Sequence, residues 1–191
     1  MERFRGVLAG VIVLAVGLGV LIGGTKASTA AMQEQSRGRE ATAIMWNQAG
    51  EQVGTVTFEQ EDAGIRVRAD VWGLAPGFHG FHVHSVGNCD AATAFASAGG
   101  HLNPMAATHA DHVGDMPSLQ VLADGTASSR VLTDRFSIAD LLADGGRAVI
   151  IHADPDNFGN IPARYGVTPD QATLDTGDAG ARFACGIVAA M

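Results

Sequence analysis

Seven histidines carry most of the chemistry in this chain, and they are not spread evenly. "HGFHVHSVGNC" (His79–Cys89) holds His79, His82 and His84, and "HLNPMAATHADHVGD" (His101–Asp115) holds His101, His109 and His112 beside Asp115. The seventh, His152, ends the apolar run "AVIIH". On a strand, residues two apart point to one face, so His82 and His84 can bind one ion together or form an exposed polar face. His79, three residues from His82, points to the other face and reads as a hydrogen-bonded structural histidine. In the loop, three imidazoles and a carboxylate make a four-coordinate set suited to Zn²⁺. His152 is either a satisfied strand-end residue or a further ligand for the strand pair. Nitrogen donors without thiolate favour Cu(II) and Zn(II) over Mg²⁺ or Ca²⁺.

The elements that must hold these residues read as strands. "ATAIMWN", "QVGTVTFEQ", "IRVRADVW", "GFHGFHVH", "SLQVLA", "TASSRVLT", "RAVIIHA" and "ARFACGIVAA" make eight short runs separated by turn residues. Ile65, Val67, Ala69 and Val71 alternate with Arg66, Arg68 and Asp70, the clearest strand pattern in the chain. Asp124–Gly125 marks a hairpin. "FSIADLLADGG" suits a short helical turn. Two long connections, Ser85 to about Pro117 and Asp154 to about Gly180, have the length of functional loops. Strands without long intervening helices predict an all-β Greek-key barrel or sandwich.

The remaining composition narrows the class. The chain has 191 residues and a formal net charge of −8, with Lys26 its single lysine. No basic run exists to follow a phosphate backbone, so nucleic acid is not an expected partner. "MERFR" precedes twenty uncharged residues, and "STA" at Ser28–Ala30 offers a cleavage site. Residues 1–30 therefore read as a signal peptide or as an N-terminal membrane anchor. Residues 31–39 read as a polar linker and 40–191 as the folded domain. Cleavage after Ala30 would leave 9 cations and 19 acids. Either reading exports the domain to the periplasm, cell envelope or exterior, where a pair of cysteines is expected to oxidise.

"GFHGFHVHSVGNC", "GNIPARYG" (Gly159–Gly166) and "GDAGARFACGIV" (Gly177–Val188) together resemble the signatures of the copper/zinc superoxide dismutase family. The resemblance covers Glu40 to Met191. It implies an eight-stranded, immunoglobulin-like Greek-key barrel and disproportionation of superoxide to O₂ and H₂O₂ by a redox-cycling copper. It further implies that His82, His84, His101 and His152 bind copper, that His101, His109, His112 and Asp115 bind zinc, and that His101 bridges the two and supplies a proton. Asp156 resembles the carboxylate that orients ligands of both metals, here His82 and His109. Arg182 resembles the arginine that guides the anion, Cys89 and Cys185 resemble the internal disulfide, and His79 resembles a non-ligand histidine that ties loops together.

The chain departs from that pattern in one region. Animal members carry a lysine in the loop before the last strand; here "QATLDTGDAGAR" has Asp175 and Asp178 instead. Anion steering then falls to the metals, Arg182 and Arg164. The competing readings are a copper or zinc carrier on the same fold that does not turn over, and a structural β-domain at a membrane. The presence of His101, Asp156 and Arg182 favours the enzyme. A homodimer is left open by the sequence.

Overall fold

The computed structural model describes residues 39–191; the leader and all but the last residue of the linker lie outside the described residues. The alternating run is β3 (Gly64–Val71), with Ile65, Val67, Ala69 and Val71 buried and Arg66 and Arg68 exposed. It lies between β2 (Gln52–Glu61) and β6 (Ala127–Thr133), and β2 pairs with β1 (Glu40–Asn47). β4 (Gly77–His84), β5 (Asp115–Val121), β7 (Ala148–His152) and β8 (Arg182–Ile187) complete eight strands. All pairings are antiparallel, in the order β5-β4-β7-β8-β1-β2-β3-β6. The two ends of that order, β5 and β6, are joined by the Asp124–Gly125 hairpin, so the sheet curls into a nearly closed Greek-key barrel. A ninth two-residue strand, β9 (Ala189–Ala190), pairs with β1.

The inward face of every strand feeds one core, in which Phe58, Phe81, Leu119 and Ile151 are among the buried side chains. β7, like the second half of β4, is buried on both faces. Val149 and Ile151 enter the barrel core, whereas Ala148 and Ile150 pack outward against Phe95, Ala98 and the disulfide. A continuous apolar run without alternation is what such two-sided burial requires. The outward cover is the long connection after β4, so the barrel presents a protected surface on the outside of β4, β7 and β8.

Two boundaries differ from the sequence reading. β5 begins at Asp115 rather than after Pro117. The β4–β5 register shifts there: between the His79–Leu119 and Phe81–Met116 pairs, one residue on β4 (Gly80) faces two on β5 (Pro117 and Ser118). Pro117 occupies that irregularity, one of the few places where a strand tolerates a missing N–H. The second long connection also contains a helix, α2 (Gln171–Thr176), closed by the Asp170 side chain on the Thr173 amide. Its predecessor α1 (Ile138–Leu142) fits the helical turn read from the sequence.

α1 starts with a capping box. The Asp140 amide donates to Ser137 Oγ at 3.2 Å, and the Ser137 amide donates to Asp140 Oδ2 at 2.8 Å. Ser137→Ala is expected to cost about 1 kcal/mol of stability, read by thermal unfolding. The Ser137 hydrogen bonds hold the Asp140 carboxyl below its ordinary 3.8. Its contribution is therefore complete above pH 3.8 and is lost as pH falls through the lowered value. The difference between the variant and the parent should narrow in that acid range.

Candidate metal centre

β4 and β7 set the first group of donors. Phe81 and Val83 point into the barrel opposite Ile151 and Val149, which turns His82 and His84 outward, opposite Ile150 and Ala148. His101 joins them through a single bridge to His84 at the start of its loop. His152 ends β7 on the same outer surface. A register shift in β8 then matters: Ile151 faces Ala184, but His152 faces Arg182. One residue, Phe183, is skipped. Without that bulge Phe183 would stand opposite His152, and bulges re-aim side chains in this way beside functional sites.

Donor nitrogens of His82, His84, His101 and His152 all lie within 4.8 Å of one another. Each ring is oriented by its other nitrogen. His82 Nε2 donates to Asp156 Oδ2 at 2.7 Å, His84 Nδ1 to the Gly99 carbonyl at 2.9 Å, and His152 Nδ1 to the Gly180 carbonyl at 3.1 Å. That fixes the tautomers and leaves a lone pair on His82 Nδ1, His84 Nε2 and His152 Nε2. Those atoms and His101 Nε2 are buried with no hydrogen-bond partner. A buried polar atom left unpaired costs about 1–3 kcal/mol. Four such costs at one point are removed together by a cation, so the residues fit a bound transition metal.

The second group lies on the other side of the His101 ring. His101 Nδ1 is 2.8 Å from Asp115 Oδ1 and 3.2 Å from His112 Nδ1. Asp115 Oδ2 is 3.0 Å from His109 Nδ1 and 3.4 Å from His112 Nδ1. Three Nδ1 atoms and a carboxylate thus converge. His101 faces both groups, one nitrogen to each. All four copper-type and all four zinc-type residues read from the sequence are brought together.

Asp156 couples the two groups. Its carboxylate accepts from His82 Nε2, from His109 Nε2 at 2.8 Å and from the Phe158 amide at 2.7 Å. Gly177 packs directly onto this cluster. A Cβ there would overlap Asp156 Oδ1 and His109 Nε2, which is why a glycine stands in "TGDAG". Sequence reasoning missed Gly177; its place inside a signature was the available signal. The His79 ring nitrogens lie 2.7 and 2.8 Å from the carbonyls of His152 and Ala75.

Electrostatics separate the halves. Burial pushes His82 down to about 4 against the Asp156 hydrogen bond, and burial together with the charge of His82 pushes His152 down to about 3. Burial also holds His84 well below its ordinary value. These rings are neutral donors at pH 7. Burial opposes charge on His109 too, but hydrogen bonds from its ring to Asp115 and Asp156 outweigh it and raise His109 to about 9. Asp115 and Asp156 are pushed up by burial, yet their histidine partners prevail and hold both below the ordinary carboxylate value.

A cavity of about 650 Å³ opens over His84, His101 and His152. Arg182 also lines it, with its guanidinium donating to the carbonyls of Phe95 at 2.5 Å and Gly99 at 2.6 Å. Asp175 and Asp178 complete an acidic side. Arg164 does not line this cavity; it lies over the Tyr165 ring, 4.9 Å from the centroid. Cys89 and Cys185 form a disulfide that ties the covering loop to β8.

The fold and these donors define a Greek-key barrel metalloprotein with two neighbouring histidine-rich centres. Residues 52–188 match the family described as copper/zinc superoxide dismutase, and the chain belongs to that family. Its cofactors are copper and zinc. A Cu-Zn superoxide dismutase of Mycolicibacterium paratuberculosis is 43% identical over 159 residues, covering 74% of this chain and 70% of that one. The Cu-Zn superoxide dismutase of Escherichia coli K12 is 35% identical, covering 73% and 80%. An extracellular Cu-Zn superoxide dismutase of Brugia pahangi is 37% identical, covering 78% and 75%. Among solved structures, that of the clock protein EA4 superposes with a TM-score of 0.67 at 28% identity, covering 81% of this chain and 96% of that one.

Proposed function

We infer that the chain is a copper/zinc superoxide dismutase, converting two superoxide anions and two protons to O₂ and H₂O₂. The observation that carries this reading is the shared imidazole. His101 presents Nε2 to three unpartnered, inward-facing histidine nitrogens and Nδ1 to the second donor group, at the floor of a cavity that also holds Arg182.

In this proposal His82, His84, His101 and His152 hold copper, and His101, His109, His112 and Asp115 hold zinc. Bound copper supplies one-electron redox chemistry, and zinc supplies a fixed charge that favours the deprotonated bridge. The protein's own groups do the rest. His101, with one nitrogen toward each donor group, would bridge the two bound metals and would be the group placed to hold or deliver a proton at Nε2 beside the substrate. Asp156 holds His82 and His109 in the tautomers that point Nδ1 inward. Arg182, fixed by two carbonyls, offers its charge to the anion without having to reorganise.

The test is superoxide consumption by the purified, copper- and zinc-loaded protein, with both metals counted on the same sample. Fast turnover at one copper and one zinc per chain supports the enzyme and the ligand sets. Full loading without turnover moves the function to metal binding.

Arg182 faces two carboxylates across the cavity, so steering of an anion rests on a local field rather than on net charge. Arg182→Glu is expected to lower kcat/KM by about tenfold or more. It should also make the rate rise with added salt, because the Debye length shrinks to about 10 Å at 0.1 M and screens the repulsion. Pulse radiolysis at 10 and 150 mM salt reads both effects; an unchanged rate and slope removes Arg182 from steering.

Export belongs to the same proposal. Bacterial and extracellular relatives and the internal disulfide support it. Residues 1–30 act as a signal peptide or an anchor, and N-terminal sequencing of the protein from the cell envelope separates the two. Homodimerisation is supported by an apolar outer face on β1 and β8, where Ile44, Trp46 and Ile187 are exposed side by side; sedimentation equilibrium reads it.

A further inference from the structure

We propose that Arg135 is a positioning residue for the zinc half of the centre. The inference rests on the reading above that His109, His112 and Asp115 hold zinc. His109 and His112 sit on a turn with no regular secondary structure, and Asp115 opens β5 directly after it. β5 and β6 do not share a hydrogen-bonded ladder, so the sheet itself does not fix this turn against the β6 side of the barrel. Arg135 supplies that link. It follows β6 directly, and its Nη1 donates to the Ala110 carbonyl at 2.7 Å and to the His112 carbonyl at 2.9 Å. Among the described residues, these are the side-chain hydrogen bonds that reach the turn from outside it to its backbone carbonyls.

The anchor at the other end is firm. Arg135 precedes Phe136, which is 5% exposed and packs edge-to-face on Phe58 in the core with ring centroids 6.1 Å apart. The Arg135 amide also donates to Thr133 Oγ1 at 3.3 Å. One guanidinium nitrogen therefore joins the barrel core to the two carbonyls that flank Asp111. The His112 carbonyl accepts from the Asp115 amide as well, at 3.2 Å, so Arg135 bears on the peptide that spaces His112 from Asp115. Asp111 lies 3.9 Å from the guanidinium and is exposed, so the carbonyl contacts dominate over this ion pair. The copper-type donors His84 and His152 are held apart from this turn, on β4 and β7 and by the carbonyls of Gly99 and Gly180.

Partners that orient ligands from behind typically change metal affinity by about 10–100-fold when removed. Arg135→Ala is thus expected to weaken zinc binding at least tenfold in chelator competition, with copper affinity within twofold of the parent. Co²⁺ placed in the zinc half should show altered visible bands, since these report ligand geometry. Arg135→Lys, which keeps a charged donor without the planar fork, should restore part of the affinity. Asp111→Asn should leave it unchanged.

Arg135→Gln keeps one donor and serves as the second variant if the alanine protein does not fold. A folded variant with parental zinc affinity and cobalt spectrum overturns the proposal, even if its melting temperature drops. His109→Ala measured in parallel separates the two failures. If it abolishes zinc binding while Arg135→Ala does not, Arg135 alone is wrongly placed; if it too leaves zinc unaffected, the ligand reading falls and takes this proposal with it.

Discussion

His101→Ala is expected to lower superoxide turnover by about two orders of magnitude or more, the usual loss when a proton donor within the site is removed. The expectation rests on position. His101 is 8% exposed, its Nε2 has no hydrogen-bond partner, and its Nδ1 faces Asp115 at 2.8 Å. No other ring touches both donor groups with opposite nitrogens. Alanine therefore removes one donor from each group and the proton store between them. Three histidines remain for copper, so copper should still bind, and zinc should bind more weakly with two imidazoles and a carboxylate. The second readout is communication. In the parent, adding zinc to the copper-loaded protein should change the Cu(II) spectrum; in the variant it should not. Parental turnover, or a copper spectrum still sensitive to zinc, contradicts the bridge.

The parts of this site legible in the sequence were the local ones. His82 and His84 share a face because a strand has period two, and His101 to Asp115 lie in one loop. Alternation in β3 exposed the barrel without any long-range information. The family resemblance carried the long-range pairs: His152 with the strand pair, Asp156 with His82 and His109, and Cys89 with Cys185. Residue patterns alone left His152 between two readings and did not pair the others, because contacts across 47 or more positions depend on register, and register here turns on bulges. The skipped Phe183 that places Arg182 opposite His152 leaves no local mark. Pro117 even argued against the strand that contains it. Arg135 gave no signal in the sequence, since its acceptors are backbone carbonyls 23 and 25 positions away that no side-chain pattern announces. Arg164 is in a signature, yet it packs over Tyr165 and does not line the cavity.

Replacing both cysteines by serine is the second large perturbation, and it should lower stability and activity by connected routes. Cys89 and Cys185 are 96 positions apart, and removing a native disulfide typically costs about 2–5 kcal/mol. The loop it secures is not relaxed on its own. Ala94 and Phe95 both have positive φ, at 51° and 63°, a conformation that non-glycine residues keep only when their surroundings enforce it. Phe95 and Ala98 pack on Ala148, Ile150 and Cys185, so the enforcement comes through the disulfide and its apolar cluster. The same loop provides two functional acceptors: the Phe95 carbonyl receives Arg182, and the Gly99 carbonyl receives both Arg182 and His84. Loosening it frees the Arg182 guanidinium, proposed to face the anion, and the His84 ring, proposed to bind copper. Turnover should therefore fall severalfold at a temperature where the variant is still fully folded, and its salt dependence should move toward that of Arg182→Glu. A lower melting temperature with unchanged turnover and unchanged salt slope would mean that the disulfide only stabilises the barrel, and that packing by Phe95 and Ala98 suffices to hold the loop over the metal centre.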